Sequence, residues 1–329
     1  MATIKNILKS LFAIIKRHPW KARLSVVIIL FSIIIYSIHP AEIMAAFKHA
    51  RPRYLLYASV LMIPNLLIQL FKWKFLLKDL NPKPSLKTTA ISLFGGFFLG
   101  ASTPGRTGEL ARGFLIPGHS KIKIASLTFV DKGFNQLIIL IFGLCTLGIV
   151  IPWPFSIIPF VIEIIIIAIV LNIHRTRPYL ERFFHRFTES ERVDNVLAAF
   201  DALSGRVAFG MLMYSIVFYA IFTLQFYCMI RCFSDFSLIN AMRTIPIIYV
   251  LNTMFPVGIG DFGVKEMAAV HVLGPFGIAG GPAFSATLTQ NVLTFLVPSF
   301  VGGIVFIFSH PLQNQEAPAS DGHKILSSE

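Results

Sequence analysis

Charge is scarce in this sequence: Asp, Glu, Lys and Arg make up 14% of its residues, against 55% hydrophobic ones. A soluble domain carries roughly 25% charged residues, so an ordinary water-facing surface is excluded. Acidic residues are scarcest, 16 against 29 Lys and Arg, which leaves a net charge of +13. Cysteine is nearly missing, and the three present (Cys145, Cys228, Cys232) have no framework spacing. A disulfide scaffold is therefore excluded, and no Cys/His group has metal-ligand spacing, so no metal or other cofactor is expected. Regular apolar/polar alternation in ten-residue segments is absent too, which argues against an outer-membrane barrel. No small-residue cleavage site follows the first apolar run, so the N-terminus does not read as a removable signal.

What the sequence does have is long apolar blocks: Leu24–Ile38, Phe134–Ile151, Phe155–Ile173, Val207–Ile230 and Ala283–Phe308. A bilayer's hydrocarbon core takes about 20 apolar residues in helical form, and lipid leaves backbone groups no partner but one another, so such blocks must be helices. Leu24–Ile38 is short and borrows Trp20 at one interface. The chain reads as an all-α integral membrane protein.

Lys and Arg set the topology. Residues 1–23 form a basic amphipathic segment (Lys5, Lys9, Lys16, Arg17, Lys21, Arg23) lying on an anionic leaflet. The positive-inside bias explains the charge better than nucleic acid, and no nucleic-acid partner is expected. A first span leads to an outer segment around Pro40–Arg53. Tyr54–Leu70 then returns the chain to a cytoplasmic loop holding Lys72, Lys74, Lys78, Lys83 and Lys87. The transmembrane domain covers 24–308, in halves 24–173 and 207–308 joined by a polar cytoplasmic connection, 174–206. A polar disordered tail, 309–329, follows. Both termini are expected in the cytoplasm.

Two stretches do not fit simple spans. Thr88–Gly100 is apolar but short, and breaks at ASTPGRTGE (101–109) before a second short helix starting around Thr107–Leu110. Residues 237–280 repeat the pattern around FPVGIGDFGVKE (255–266). Helix, Gly/Pro break, helix reads as a re-entrant hairpin, and such segments at corresponding places in two halves point to a transporter site between inverted repeats. The expectation is about six spans plus two broken hairpins entering from opposite faces. The halves read as an inverted repeat, although the two motifs do not align residue for residue.

The first break places Pro104, Gly105 and Gly108 beside Arg106, Glu109 and Arg112. Free N–H groups at a helix start and guanidinium forks both suit a phosphate; the structural alternative is Glu109 capping its own helix and pairing with Arg112. In the second break, Pro256, Gly258, Gly260 and Gly263 bend the backbone next to Asp261, Lys265 and Glu266, with Asp261 a candidate N-cap. Ionisable groups at membrane depth are functional by default, so both clusters are candidate substrate contacts. Asp131 and Lys132, just before the Phe134–Ile151 block, are either an interfacial pair at a helix start or part of that site. Glu163 within FVIEIIIIAIV is protonated, paired across the bundle, or on a proton or substrate path. Gln290 and Asn291 are expected to hydrogen-bond between helices.

At these motifs the chain resembles the flippase-like transmembrane domain of the lysylphosphatidylglycerol synthetase family. The matching stretches are P-G-R-x-G-E at 104–109 with Arg112, ASLTFVDKG at 125–133, and FPVGIGDFGVKE with the Gly-rich helix after it. The family commonly has Glu-Arg where this chain has Asp131-Lys132, and often an Arg where Gln290 and Asn291 lie. The resemblance implies translocation of an amphiphilic lipid between leaflets of a prokaryotic cytoplasmic (inner) membrane. The lipid would be an anionic or aminoacylated phospholipid or a lipid-linked carrier. It also implies a homodimer and a separate lipid-modifying enzyme as partners. The chain ends soon after the last span, so lysyl transfer is not expected, and no catalytic constellation is evident.

Two rival functions stand beside this one. Gly258-Ile259-Gly260-Asp261 matches the G-x-G-D element of intramembrane aspartyl proteases, with Asp131 as second carboxylate. However, a Tyr-Asp pair is absent, and the nearest match to a downstream Pro-Ala-Leu is Gly281-Pro282-Ala283-Phe284. The other rival is a non-transporting scaffold for a lipid-modifying enzyme.

Overall fold

The computed structural model describes residues 40–171 (81, 102 and 153 apart), 205–254 and 262–309. Every regular element among them is helical: α1 Pro40–Lys48, α2 Pro52–Leu76, α3 Leu86–Ala101, a 3₁₀ segment Pro104–Leu115, α4 Lys121–Val150 and α5 Ile157–Leu171. Then come α6 Gly205–Phe233, α7 Leu238–Met254, α8 Val264–Leu273, α9 Gly280–Asn291, a π-helical turn Val292–Leu296 and α10 Val297–Ser309.

Four helices are long and apolar enough to cross a membrane: Pro52–Leu76, Lys121–Ile149, Gly205–Phe233 and Gly280–Val305, the last running through the π turn. They correspond to four of the six expected spans. The expected span at Phe155–Ile173 appears as the 15-residue α5. Leu24–Ile38, the segment 1–23, the connection 174–206 (apart from Gly205 and Arg206, in α6) and the tail (apart from Ser309, in α10) lie outside the described residues.

The helices turn apolar faces outward as well as inward. On α2 the exposed stripe is Leu56, Val60, Ile63, Leu67 and Phe71, at helical spacing. The buried side of the same helix carries Asn65 and Lys72 with Ala58, Trp73 and Leu76. An apolar exterior with polar and charged groups held inside fits a lipid solvent, in which polar groups need protein partners. α2 packs along α6, and the α3/3₁₀ pair sits between α10 and α4. The α7/α8 pair lies against α4 and α9. Close approach is permitted by small residues: a Cβ on Gly302 of α10 would lie 2.0 Å from the Phe94 carbonyl oxygen of α3.

α2 begins at Pro52, where a missing N–H costs nothing. α4 begins at Lys121, with the Ser120 hydroxyl accepting the Lys123 N–H. Both helices extend past the expected boundaries, and this moves several charges. Lys72 is not in a cytoplasmic loop: it lies inside α2 and is 1% exposed. Asp131 and Lys132 are not at a helix start but well inside α4.

Candidate functional site

The first break is built from backbone restraint. α3 ends at Ala101, and the chain continues from Pro104 as a 3₁₀ helix, not as the α-helix expected from Thr107–Leu110. Thr103 fastens the bend, its hydroxyl donating to Leu99 O (3.0 Å) and accepting the Gly108 N–H (2.6 Å). That N–H is therefore taken by the protein. Arg106 adopts a left-handed backbone (φ 57°), a conformation that costs a side-chain-bearing residue energy and persists only where its surroundings impose it.

This segment turns Glu109 and Arg112 back onto α3, where glycines make room for them. A Cβ on Gly96 would lie 2.6 Å from Arg112 Cγ, and one on Gly100 would lie 2.7 Å from Glu109 Cγ. Glu109 is buried and is the hub of the cluster. Its Oε1 accepts from Arg106 Nε at 2.7 Å, and its Oε2 from Arg112 Nη2 at 2.8 Å and Lys132 Nζ at 2.5 Å. Arg112 also reaches Asp131 Oδ2 (3.3 Å) and stacks over Trp73 at 5.2 Å. Lys72 completes the network from α2, its Nζ 3.0 Å from Asp131 Oδ1 and 2.6 Å from Asn135 Oδ1.

Asp131 and Lys132 thus join the site through different partners and not through each other, because adjacent residues on a helix point apart. Glu109 does pair with Arg112, but inside a wider network and in the body of the 3₁₀ segment instead of as a cap. Four cations (Lys72, Arg106, Arg112, Lys132) meet two carboxylates (Glu109, Asp131), so these six groups carry a surplus of two positive charges.

The second break is organised around Glu266 and Lys265, both buried. Gly263 is the N-cap of α8, with φ 96°, a region glycine enters without penalty. Its N–H donates to Glu266 Oε2 at 2.6 Å, the return bond of a capping box from the N3 position, and Gly263, not Asp261, occupies the N-cap position. Asn291, at the end of α9 where the π turn begins, bridges the pair. Its Nδ2 donates to Glu266 Oε1 (2.6 Å) and its Oδ1 accepts from Lys265 Nζ (2.7 Å). That is the inter-helix hydrogen bonding expected of Asn291; Gln290 beside it is buried, with no partner for its amide among the described residues. The Lys265 ammonium faces three rings, Phe222, Phe226 and Tyr249, at 5.1 to 5.4 Å, a cation–π setting. Asp261, Pro256, Gly258 and Gly260 lie outside the described residues; Glu163 lies on α5.

Both breaks open on one cavity of about 390 Å³, within the range of small-ligand sites. Arg106 and Glu109 line it from the first break, Lys265 from the second, and Lys132 and Asn291 from the helices between. Arg112, Asp131 and Lys72 stand behind this inner layer and hold it in place. A cation–π contact of Arg106 with Phe295 in the π turn (4.8 Å), and an edge-to-face contact of that ring with Phe262 (6.2 Å), link the two breaks physically. Sequence reasoning missed Lys72, Gly96, Gly100 and the π turn. Only GGFFLG, with glycines spaced by four, signalled a close helix contact.

An apolar exterior around an ion-lined cavity defines a multi-pass α-helical membrane protein with a built interior site. Over residues 20–302 the sequence matches the family described as the lysylphosphatidylglycerol synthase TM region, and the chain belongs to that family. Membership associates it with lipid handling by a membrane domain. No curated protein and no solved structure matches the chain.

Proposed function

We propose that the protein is a lipid translocase: it passes the anionic headgroup of an amphiphilic lipid through the cavity while the acyl chains stay in the bilayer. The observation that carries this reading is the convergence of two broken helix pairs, each bearing buried ionisable groups, on one cavity. Broken helices at matched places in two halves are the usual construction of a transporter site, and in this reading the pairs are re-entrant. The cationic surplus among the six charged groups favours an anion, with Arg106 and Lys132 meeting a phosphate.

No covalent chemistry is proposed. The protease alternative needs two carboxylates sharing a proton, whereas Asp131 is paired with the cations Lys72 and Arg112.

The test is leaflet exposure of a fluorescent anionic phospholipid in vesicles reconstituted with the purified protein. The protein should accelerate exchange over protein-free vesicles, and Lys132→Gln should slow it by about tenfold, a loss on the order of 1.4 kcal/mol. Glu109→Gln and Glu266→Gln should slow it as well. If the wild-type protein moves no lipid under any imposed gradient, the scaffold reading replaces this one.

A further inference from the structure

Three carboxyls are buried among the described residues: Glu109, Asp131 and Glu266. Arg106, Arg112 and Lys132 meet the first, and Lys72 and Arg112 meet the second. Glu266 is 0% exposed and has no ion pair among the described residues. Its oxygens accept the Gly263 N–H and the Asn291 amide, both at 2.6 Å. A charge buried without a counter-charge is costly, and gaining a proton removes it. The nearest route to a cation runs through Asn291, whose Oδ1 accepts from Lys265 Nζ at 2.7 Å. Lys265 and Asn291 line the cavity, and Glu266 stands one layer behind them. Carboxamides from α2, α4 and α7 (Gln69, Gln136, Asn252) keep much of the remaining lining polar, so the cavity suits water, the source of a proton.

An amide has one donating and one accepting end, so its orientation follows the protonation of the groups it joins. With Glu266 ionised, the Asn291 NH₂ faces the carboxylate and its oxygen faces the ammonium, as in this structure. Once Glu266 holds a proton, its O–H needs an acceptor, and Asn291 supplies one by turning over. The NH₂ end then faces Lys265, whose ammonium exchanges its amide acceptor for an anion in the cavity. We propose that Glu266 is a proton-binding site, linked through Asn291 and Lys265 to the headgroup, and that the lipid moves together with a proton. The step forms one O–H bond, between a proton from cavity water and a Glu266 oxygen, and breaks none in the lipid. The added positive charge balances the negative charge of a phosphodiester. Other titratable groups on α8 and on α7, which packs against it, are Lys265, His271, Arg243 and Tyr249; α9 carries none. Tyr249 turns its ring to Lys265 (5.1 Å), while Arg243 and His271 are exposed. From α6 the rings of Phe222 and Phe226 face Lys265. This proposal rests on the translocase reading and adds a coupling ion to it.

Calorimetric binding of short-chain (dihexanoyl) phosphatidylglycerol to the purified full-length protein tests this. Comparing buffers of different ionisation heat counts the protons taken up, over about pH 5 to 9, where buried carboxyls can titrate. The phosphodiester stays ionised throughout, so a proton taken up is held by the protein. The expected result is uptake approaching one proton per lipid at its maximum. Affinity should fall by up to about tenfold per pH unit as pH rises through that region, because the linkage is reciprocal. Glu266→Gln, neutral at every pH, should bind near the wild type's low-pH affinity and lose the uptake, and that binding also shows that the variant is folded. Asn291→Leu retains the carboxyl but severs it from Lys265, and should flatten the affinity profile. His271→Gln should keep the wild-type profile. A wild type that takes up no proton anywhere in the range overturns the proposal, whatever the variants do. So does uptake that Glu266→Gln retains or that His271→Gln removes. If no lipid binds at all, the translocase reading itself fails and takes this proposal with it.

Discussion

The two broken helix pairs carry the same sequence device, a Gly/Pro interruption ending in a glutamate, yet they neutralise that glutamate by different physics. Glu109 accepts from three cations across two elements. Glu266 accepts only neutral donors in the described structure, a backbone N–H and the amide of Asn291. The neighbouring Lys265 faces aromatic rings. A shared motif therefore does not fix a shared electrostatic role. What decides it is which helix packs alongside: α4 brings Asp131 and Lys132 to the first break, while α9 brings an amide to the second.

Removing Arg112 should break this contrast most severely. Arg112→Ala leaves Glu109 and Asp131 buried with fewer cations, and breaking a buried ion pair costs about 3–5 kcal/mol. Lys265→Met, whose ammonium bonds the neutral Asn291, should cost about 1–3 kcal/mol. Denaturant midpoints in detergent micelles measure both, and equal losses would erase the distinction between the two sites.

A smaller effect should separate the two backbones. A Cβ on Gly108 would meet Leu99 O at 2.1 Å, whereas one on Gly274, just after α8, meets nothing within 4 Å. Gly108→Ala should destabilise by about 1–3 kcal/mol, and Gly274→Ala should be near neutral by the same measurement. A neutral Gly108→Ala would mean that the first bend is not tightly packed.

The smallest effect belongs to the exposed pair outside the spans, Arg51 with Asp235 (2.5 Å), which sharpens the contrast with the buried network. Its hydrogen bonds from Arg51 hold the Asp235 carboxyl below its ordinary range. The folded pKa lies below the unfolded value, so the stabilisation is fully present above roughly pH 4. It is lost as pH falls through the folded value. Asp235→Asn should flatten that acid limb slightly and leave the low-pH stability unchanged, as read from unfolding midpoints between neutral and acidic pH.

How far the sequence could be read differs along the chain. The apolar blocks revealed α2, α4, α6 and the last helix because a membrane span is a local property of about 20 residues. The breaks were legible for the same reason: proline and glycine act on their own backbone. Lys72 was misread because it sits among Lys74 and Lys78, and a run of lysines looks like a cytoplasmic loop until the helix is seen to continue to Leu76. Its partner Asp131 is 59 residues away, and no local pattern links them. The helical boundary at Lys121 was hidden because α4 opens with exposed Lys121 and Lys123 and continues through buried Ser126 and Thr128, so no unbroken apolar block marks its start.

By itself the sequence determined the class: too little charge for a water-facing surface, enough apolar length for several spans, and two interruptions bearing charge. Each follows from the chemistry of a short window. Only tertiary structure decided that Lys72, Arg112 and Asp131 stand behind Glu109 and Lys132, and that amides from three helices share one cavity. Those contacts depend on which helix faces gather together, and burial gives them their energy because a charge removed from water must find its counter-charge in the protein.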